Sequence, residues 1–391
     1  MQIAIVGQGY VGLPLAIAAA NAGHKVHGID IDSALIDKLT KGISPIGDLS
    51  DHEISAALAS GNYSATRSFE SVRDAEVVVI CVPTPLDSNY NPDLSNLESA
   101  LTSIAKFLAP DSLVINESTV APGTTRSTIA SILETSRVPF HLAYSPERID
   151  PANKVWKVTN TPKLVAGLTD EATQRAKEFY SSFVDSVTTG TSLEVIETAK
   201  LLENSFRLIN ISFINEIAQF CAALNIDVRE VVDAAATKPY GFMPFYPSAG
   251  VGGHCIPVDP KYLSSKATEI GVPSRFIELA HEVNISLPSY FLGVATGMIG
   301  DLKNKKILIV GVAYKPNVSD TRETPAAGLI AALRQAGAEV FWHDELVQEW
   351  NGESSSALTD GYDLAILVNP HAHTDLSLLN STPTLNTRGG F

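Results

Sequence analysis

Residues 2–23 constrain the fold of this chain more than any other stretch: a Val/Ile-rich run, Gln2-Ile3-Ala4-Ile5-Val6, passes through Gly7-Gln8-Gly9-Tyr10-Val11-Gly12 into an Ala- and Leu-rich helical pattern at 12–23. A strand, a glycine turn and a helix in that order open a βαβ unit. Gly7 permits the tight turn, Gly9 lets backbone approach a pyrophosphate, and Gly12 allows the helix to pack closely on the strand. Tyr10 and Val11 lie at the helix start, where amide donors and the helix dipole favour an anion. Asp30 ends the next strand-like run, 25–29, at the spacing expected of an acid that binds ribose hydroxyls. An acid there repels a 2′-phosphate, so the motif predicts NAD rather than NADP.

The alternation continues. Short apolar runs at 76–82, 112–116 and 139–143 read as buried strands, with helical patterns at 33–41 and 96–108 between them. At 305 the pattern restarts as KKILIVGVAY, with the helix AAGLIAALRQAG and the strands AEVFWHD and YDLAILVN after it. Between the two α/β regions, 191–237 contains no proline and no glycine. Val195, Ala199, Leu202, Phe206, Ile209 and Phe213 recur there at helical spacing, predicting one or two long helices that join domains or form a subunit interface. A loop at 239–260 and a helical stretch at about 274–300 follow. The expected class is α/β: two Rossmann-like, doubly wound parallel-sheet domains, 1–190 and 301–391, joined by a long central helix within a helical part, 191–300. The chain has 391 residues and 45% hydrophobic content, enough for two or three packed cores at about 150 residues each.

A formal charge of −15 argues against nucleic acid and against an anionic membrane surface as partners. An anionic substrate therefore needs a locally basic pocket. The three widely spaced cysteines do not form a disulfide framework, and no signal-peptide or spanning pattern is visible, so a cytoplasmic protein is expected. Cys81 and Cys221 read as small packed hydrophobes. Cys255 differs. It sits in Gly250-Val251-Gly252-Gly253-His254-Cys255-Ile256-Pro257-Val258-Asp259-Pro260, an open, stiff turn able to present a thiol to a ligand. His254, Cys255 and Asp259 lack the spacing of a metal site, and no metal is expected.

Lys200 and Asn204 share one face of the predicted helix, and Arg207 continues it. A lysine near a thiolate lowers its pKa and stabilises an oxyanion. Thr84, Thr119, Glu147 and Arg148 follow predicted strands, where open α/β sheets bind ligands. Lys315 and Arg322 stand in a loop after the glycine turn of the second α/β region, which suits a second phosphate-bearing ligand or simple solvation.

Taken together, GQGYVGLPLA, CVPTPL, ESTVAPGTT, SPERI, AKLLENSFR, GVGGHCIPVDP and VGVAYKPNVSDTRETPA resemble the UDP-glucose/GDP-mannose dehydrogenase family, from residue 1 to about 370. The resemblance implies that Cys255 is a nucleophile with Lys200, Asn204 and Asp259 as polar partners. It implies that Glu147 serves a hydrolytic step, Thr119 orients water or cofactor, Lys315 binds a sugar nucleotide and Arg322 contacts NAD. It also implies a homodimer through the long helix. His254 and TKPYGFMPFYP are similar to members acting on UDP-N-acetylhexosamines, chiefly UDP-N-acetylglucosamine. UDP-N-acetylmannosamine or UDP-glucose are the alternatives in the same four-electron reaction. Pro247-Ser248-Ala249-Gly250 and the terminal TLNTRGGF, with Asn386, depart from the family pattern. A simple two-electron dehydrogenase, which needs no cysteine, and a non-catalytic NAD-binding regulator are the competing classes.

Overall fold

The computed structural model describes residues 1–150, 153 and 155–389; Gly390 and Phe391 of the terminal TLNTRGGF lie outside them. The chain divides into two compact units, Met1–Leu202 and Glu203–Phe391.

In the first unit, the strands β1 (Gln2–Val6), β2 (Lys25–Ile29), β3 (Tyr63–Thr66), β4 (Val77–Ile80), β5 (Ser112–Asn116), β6 (Phe140–Tyr144), β7 (Lys163–Gly167) and β8 (Val187–Thr189) form one sheet in the order β3-β2-β1-β4-β5-β6-β7-β8. Strands β1 to β6 run parallel, with Ile3 of β1 opposite Val26 of β2 and Val77 of β4. The helices are α1 (Gly12–Asn21), α2 (Ser33–Thr40), α3 (Asp51–Ala59), α4 (Ser95–Ala105), the short α5 (Ala130–Leu133) and α6 (Asp170–Ser181). Alternate residues of each strand enter opposite cores. Ile3, Ile5, Val77 and Val79 pack with Leu13, Leu39, Ile54 and Phe179 on one face, while Ala4, Val6, Val78 and Ile80 pack with Leu97, Leu101, Ile104 and Leu133 on the other. Burial on both faces explains why these strands read as continuous apolar runs. The expected doubly wound sheet is present. It also carries an extension, because β7 pairs with β6 antiparallel.

The continuous helix α7 (Leu193–Ala223) crosses the boundary between the units, and α8 (Val228–Ala236), α9 (Asp259–Glu269) and α10 (Arg275–Ile299) follow. The predicted loop therefore ends at Asp259, which begins α9 with Pro260 next to it. The second sheet is wholly parallel, in the order β10-β9-β13-β14, from β9 (Lys306–Val310), β10 (Glu339–His343), β13 (Leu364–Leu367) and β14 (Thr384–Asn386). A hairpin, β11 (Glu349–Trp350) and β12 (Glu353–Ser354), stands beside it in sequence. One face of the second sheet packs on α10 and α11 (Pro325–Gln335) through Ile307, Ile309, Leu329 and Phe291. Its other face is closed by a smaller cluster of Leu308, Val310, Leu358 and Leu379.

Candidate active site

In the first unit the candidate residues collect where the parallel strands end. Gly7 has φ +93°, and a Cβ there would lie 2.5 Å from the Cys81 carbonyl oxygen. At Gly12 a Cβ would lie 1.9 Å from the Gly7 carbonyl oxygen. Both glycines are forced by close approach of strand, turn and helix. Around Gly9, by contrast, the Cβ direction is open to 4 Å, so the space belongs to whatever lies against the backbone. Asp30, half-buried past β2, accepts from the amides of Gln8 at 2.8 Å and Asp32 at 3.0 Å. Buried Gln8 braces the turn: Nε2 donates to the Ile5 and Gly7 carbonyls, and Oε1 accepts from the Tyr63 hydroxyl at 2.9 Å. This arrangement fits NAD, with glycine backbone and the α1 N-terminus for the pyrophosphate and a carboxylate held at the ribose position.

Thr84 is buried beyond β4, and Thr119 half-buried beyond β5. The loop carrying Thr119 is pinned from α7, where buried Glu197 accepts from the amides of Gly123 at 2.6 Å and Thr125 at 2.9 Å. Beyond β6, Glu147 turns one carboxylate oxygen to the amides of Arg148 (2.6 Å) and Ile149. Lys200 Nζ donates to the Glu147 carbonyl at 2.7 Å, so the α7 lysine reaches the SPERI segment. Arg148 donates to the Pro162 carbonyl at 2.8 Å.

Sequence reading missed three neighbours of this group. Lys163, at the start of β7, lies 2.8 Å from Glu117 Oε2 and 3.7 Å from Glu147 Oε2. The Tyr180 hydroxyl of α6 donates to Glu117 Oε1, and Lys163 Nζ sits 5.1 Å from the Tyr180 ring centre. Burial pushes the Glu117 carboxyl up, and Glu147 adds to this against the pull of Lys163. For Lys163 burial acts downward, but the Glu117 and Glu147 carboxylates outweigh it and hold the ammonium above its ordinary value. The available signal was a charge opening the apolar run Lys163-Leu164-Val165-Ala166-Gly167. Cys81 packs against the core, and burial pushes its thiol up.

In the second unit, Cys255 is exposed on its turn. The Cys255 carbonyl accepts from the Asp259 amide at 2.8 Å, and the buried Asp259 carboxylate accepts from Asn204 Nδ2 at 2.6 Å. Asn204 is buried while Arg207, the next residue of the sequence stripe, is exposed. Side chains at Gly252 or Gly253 would collide with the Glu323 carbonyl or the Tyr314 ring, at 2.6 and 2.8 Å. His254 is pushed down first by burial and then by the Arg322 charge, against Asp259 and Asp320. Arg322 itself donates to Asp320 at 2.6 Å, and Lys315 Nζ stands 5.7 Å from the Tyr314 ring centre.

The second sheet repeats the first turn without its opening. Gly311 has φ +85°, and a Cβ there would lie 2.2 Å from the Asn369 carbonyl oxygen. Asp344, placed like Asp30, is fully buried. It accepts from the amides of Val312, Ala313, Leu346 and Val347 and from His371 Nε2 at 2.7 Å. Glu345 adjoins this pair, but His371 Nδ1 accepts from the Asn317 amide, so both ring nitrogens are engaged and offer a cation nothing. A polar cavity of about 350 Å³ near the α6 N-terminus, lined by Arg126, Thr169 and Lys177 among others, contains none of the motif residues.

A cofactor cradle of this kind defines an NAD-dependent oxidoreductase. Models of the UDP-glucose/GDP-mannose dehydrogenase family match the chain in sequence: the NAD binding domain over residues 1–184, the central domain over 194–286 and the UDP binding domain over 308–380. A UDP-N-acetyl-D-mannosamine dehydrogenase of Pyrococcus horikoshii is 33% identical over 381 residues, covering 95% of this chain and 90% of its own. The solved UDP-D-ManNAc dehydrogenase from that organism superposes with a TM-score of 0.92 at 31% identity, covering 99% of this chain and 95% of its own. A UDP-N-acetyl-D-glucosamine 6-dehydrogenase of Pseudomonas aeruginosa is 34% identical over 357 residues, 89% of this chain and 83% of its own. The chain belongs to the UDP-glucose/GDP-mannose dehydrogenase family, and its cofactor is NAD. No helix among the described residues is long and apolar enough to cross a membrane.

Proposed function

We propose that the protein oxidises the C6 hydroxyl of a UDP-N-acetylhexosamine to the carboxylate, with Cys255 as covalent nucleophile. The observation that carries this reading is the exposed thiol on a glycine-built turn whose base is locked by Asn204 and Asp259. NAD, held by the Gly7–Gly12 turn with Asp30, would supply the hydride acceptor for C6 in each of two oxidations, the hydroxyl proton passing to solvent each time. The first leaves an aldehyde. The Cys255 thiolate adds to it, and the aldehyde oxygen takes a proton, giving a thiohemiacetal. The second oxidation turns this into a thioester, and water then cleaves it to the acid and the free thiol. Lys200 and Asn204 stabilise the oxyanion, Glu147 activates the water, and Thr119 orients it. A single well-aimed donor to such an oxyanion contributes about 3 kcal/mol. In this reading residues 1–190 bind NAD, 191–300 carry Lys200 and Cys255, and 301–391 bind the UDP-sugar through Lys315. Arg148 helps to hold the substrate, and Arg322 contacts NAD. The protein works in the cytoplasm.

Sequence reading favours UDP-N-acetylglucosamine, and the Pseudomonas relative supports it. The mannosamine epimer is the second reading, supported by the Pyrococcus relative. Incubation with NAD and a panel of UDP-N-acetylglucosamine, UDP-N-acetylmannosamine, UDP-N-acetylgalactosamine, UDP-glucose and GDP-mannose decides between them. Two NADH per uronate from one N-acetylhexosamine is the expected outcome. One NADH with free aldehyde would refute the four-electron reaction.

A homodimer through α7 belongs to the same reading. Leu202, Phe206, Phe213 and Phe220 are between 45% and 60% exposed along it, more large apolar surface than a solvated helix carries by chance. Phe213→Glu is expected to convert a dimer into monomers in sedimentation velocity. An unchanged sedimentation coefficient would place the interface elsewhere.

A further inference from the structure

The Glu147 carboxylate is not isolated. Its Oε2 faces Lys163 Nζ at 3.7 Å, and Lys163 is fixed from two other sides by Glu117 Oε2 at 2.8 Å and the Pro146 carbonyl at 3.3 Å. A cavity of about 10 Å³, lined by Glu147, Arg148, Ile149, Val158, Thr161 and Lys163, lies at the junction. That is room for roughly one water. The buried Thr161 hydroxyl on its wall has no hydrogen-bond partner among the described residues. Charges meeting across so little solvent interact far more strongly than at a surface.

We infer that Lys163 is a positioning residue for Glu147: its buried ammonium, anchored by Glu117 and Pro146, holds the Glu147 carboxylate in place for thioester hydrolysis. This rests on the reading of Glu147 as the base of that step. The other charged or titratable groups around the pair, among the described residues, include Glu117 after β5, Arg148 on the cavity wall, Tyr180 on α6, Cys81 after β4, and Lys200 on α7, which donates to the Glu147 carbonyl. None of the last three carries a negative charge at neutral pH, since burial pushes both Tyr180 and Cys81 up. Glu147 therefore meets the cations Lys163 and Lys200 and the acid Glu117, and Lys163 and Glu117 act on it with opposite sign.

The test is the rate of acid release following the NADH burst, measured against pH on the full-length enzyme with NAD and the UDP-sugar that it turns over. Lys163→Met removes a positive charge, so the acid limb is expected to move up by about one pH unit and the rate at neutral pH to fall ~10-fold or more, with the burst intact. Lys163→Arg is expected to restore both. Glu117→Gln removes a negative charge and is nearly isosteric, so its acid limb is expected to move down. Opposite shifts are not produced by loosened packing. If Lys163→Met does not fold, Glu117→Gln carries the test alone. Unmoved acid limbs in the soluble variants would overturn the inference. Glu147→Gln separates this from the underlying reading: it is expected to accumulate the thioester, and normal acid release from it would refute Glu147 as the base instead.

Discussion

Cys255→Ala is expected to abolish uronate formation, lowering it by on the order of 10⁴-fold or more, the scale seen when a covalent nucleophile is removed. The thiol is exposed, so its loss leaves no cavity in a core, and the melting temperature should stay within about 2 °C of the parent. The turn should also keep its shape, because backbone and glycine contacts hold it. Asp259 N–H caps the Cys255 carbonyl, and Gly252 and Gly253 pack against Glu323 and Tyr314. The residues proposed to bind NAD, Gly7, Gly9, Gly12 and Asp30, lie in the other unit, so NAD binding should be unaffected. What remains is the first oxidation alone: slow formation of one NADH with aldehyde, since no thiol is present to capture it. Parallel assays of NADH and uronate distinguish this from a simple two-electron dehydrogenase. In that case Cys255→Ala would turn over at the parental rate, and the covalent mechanism would be wrong.

Much of this was legible in the sequence, for identifiable reasons. β1, β4 and β5 are covered on both faces, so they read as unbroken apolar runs, and the glycines at 7 and 12 report close approach that no other residue permits. Less visible were α3 and β3. The capping box Ser50–Glu53 does mark the start of α3, but the helix buries only Ile54 and Ala57, too few for a clear period. β3 reads Tyr63-Ser64-Ala65-Thr66, an edge strand with little apolar content. Of the Glu117–Lys163–Tyr180 cluster only the charge heading the run 163–167 was visible, because its members are brought together only when β5, β7 and α6 assemble. Lys200 and Asn204 are four residues apart on one helix, yet the first reaches the Glu147 carbonyl and the second the Asp259 carboxylate. Their shared face was visible in the spacing, and their partners were not.

Asp344→Ala is expected to destabilise the protein by about 3–5 kcal/mol, although nothing in its sequence position distinguishes it from Asp30. Each acid follows the second strand of a strand–glycine turn–helix unit and accepts from the turn's amides. Asp30 accepts from one turn amide, Gln8, and from the Asp32 amide, and stays half-exposed. Asp344 is fully buried with four amides and His371 around it, so removal strands four buried donors, the amides of Val312, Ala313 and Val347 and the His371 ring nitrogen. Burial pushes the Asp344 carboxyl up, but His371 and the amides outweigh it and hold its pKa below the ordinary value. A folded-state pKa below the unfolded one contributes stability above about pH 4, and that contribution is lost as pH falls through the folded value. The deficit of the variant should therefore be constant from pH 7 to about pH 5 and shrink in stronger acid. Calorimetry at several pH values checks both points. Asp30→Ala makes the opposite trade: a melting temperature within about 2 °C of the parent, and NAD bound ~10-fold or more weakly, the worth of one charge-assisted hydrogen bond to ribose. If Asp344→Ala melted with the parent, or weakened NAD binding as Asp30→Ala does, the second glycine turn would be a dinucleotide site after all. The closed geometry at Gly311 and the saturated Asp344 argue that the second turn is instead a brace, the same motif turned inward on the chain itself.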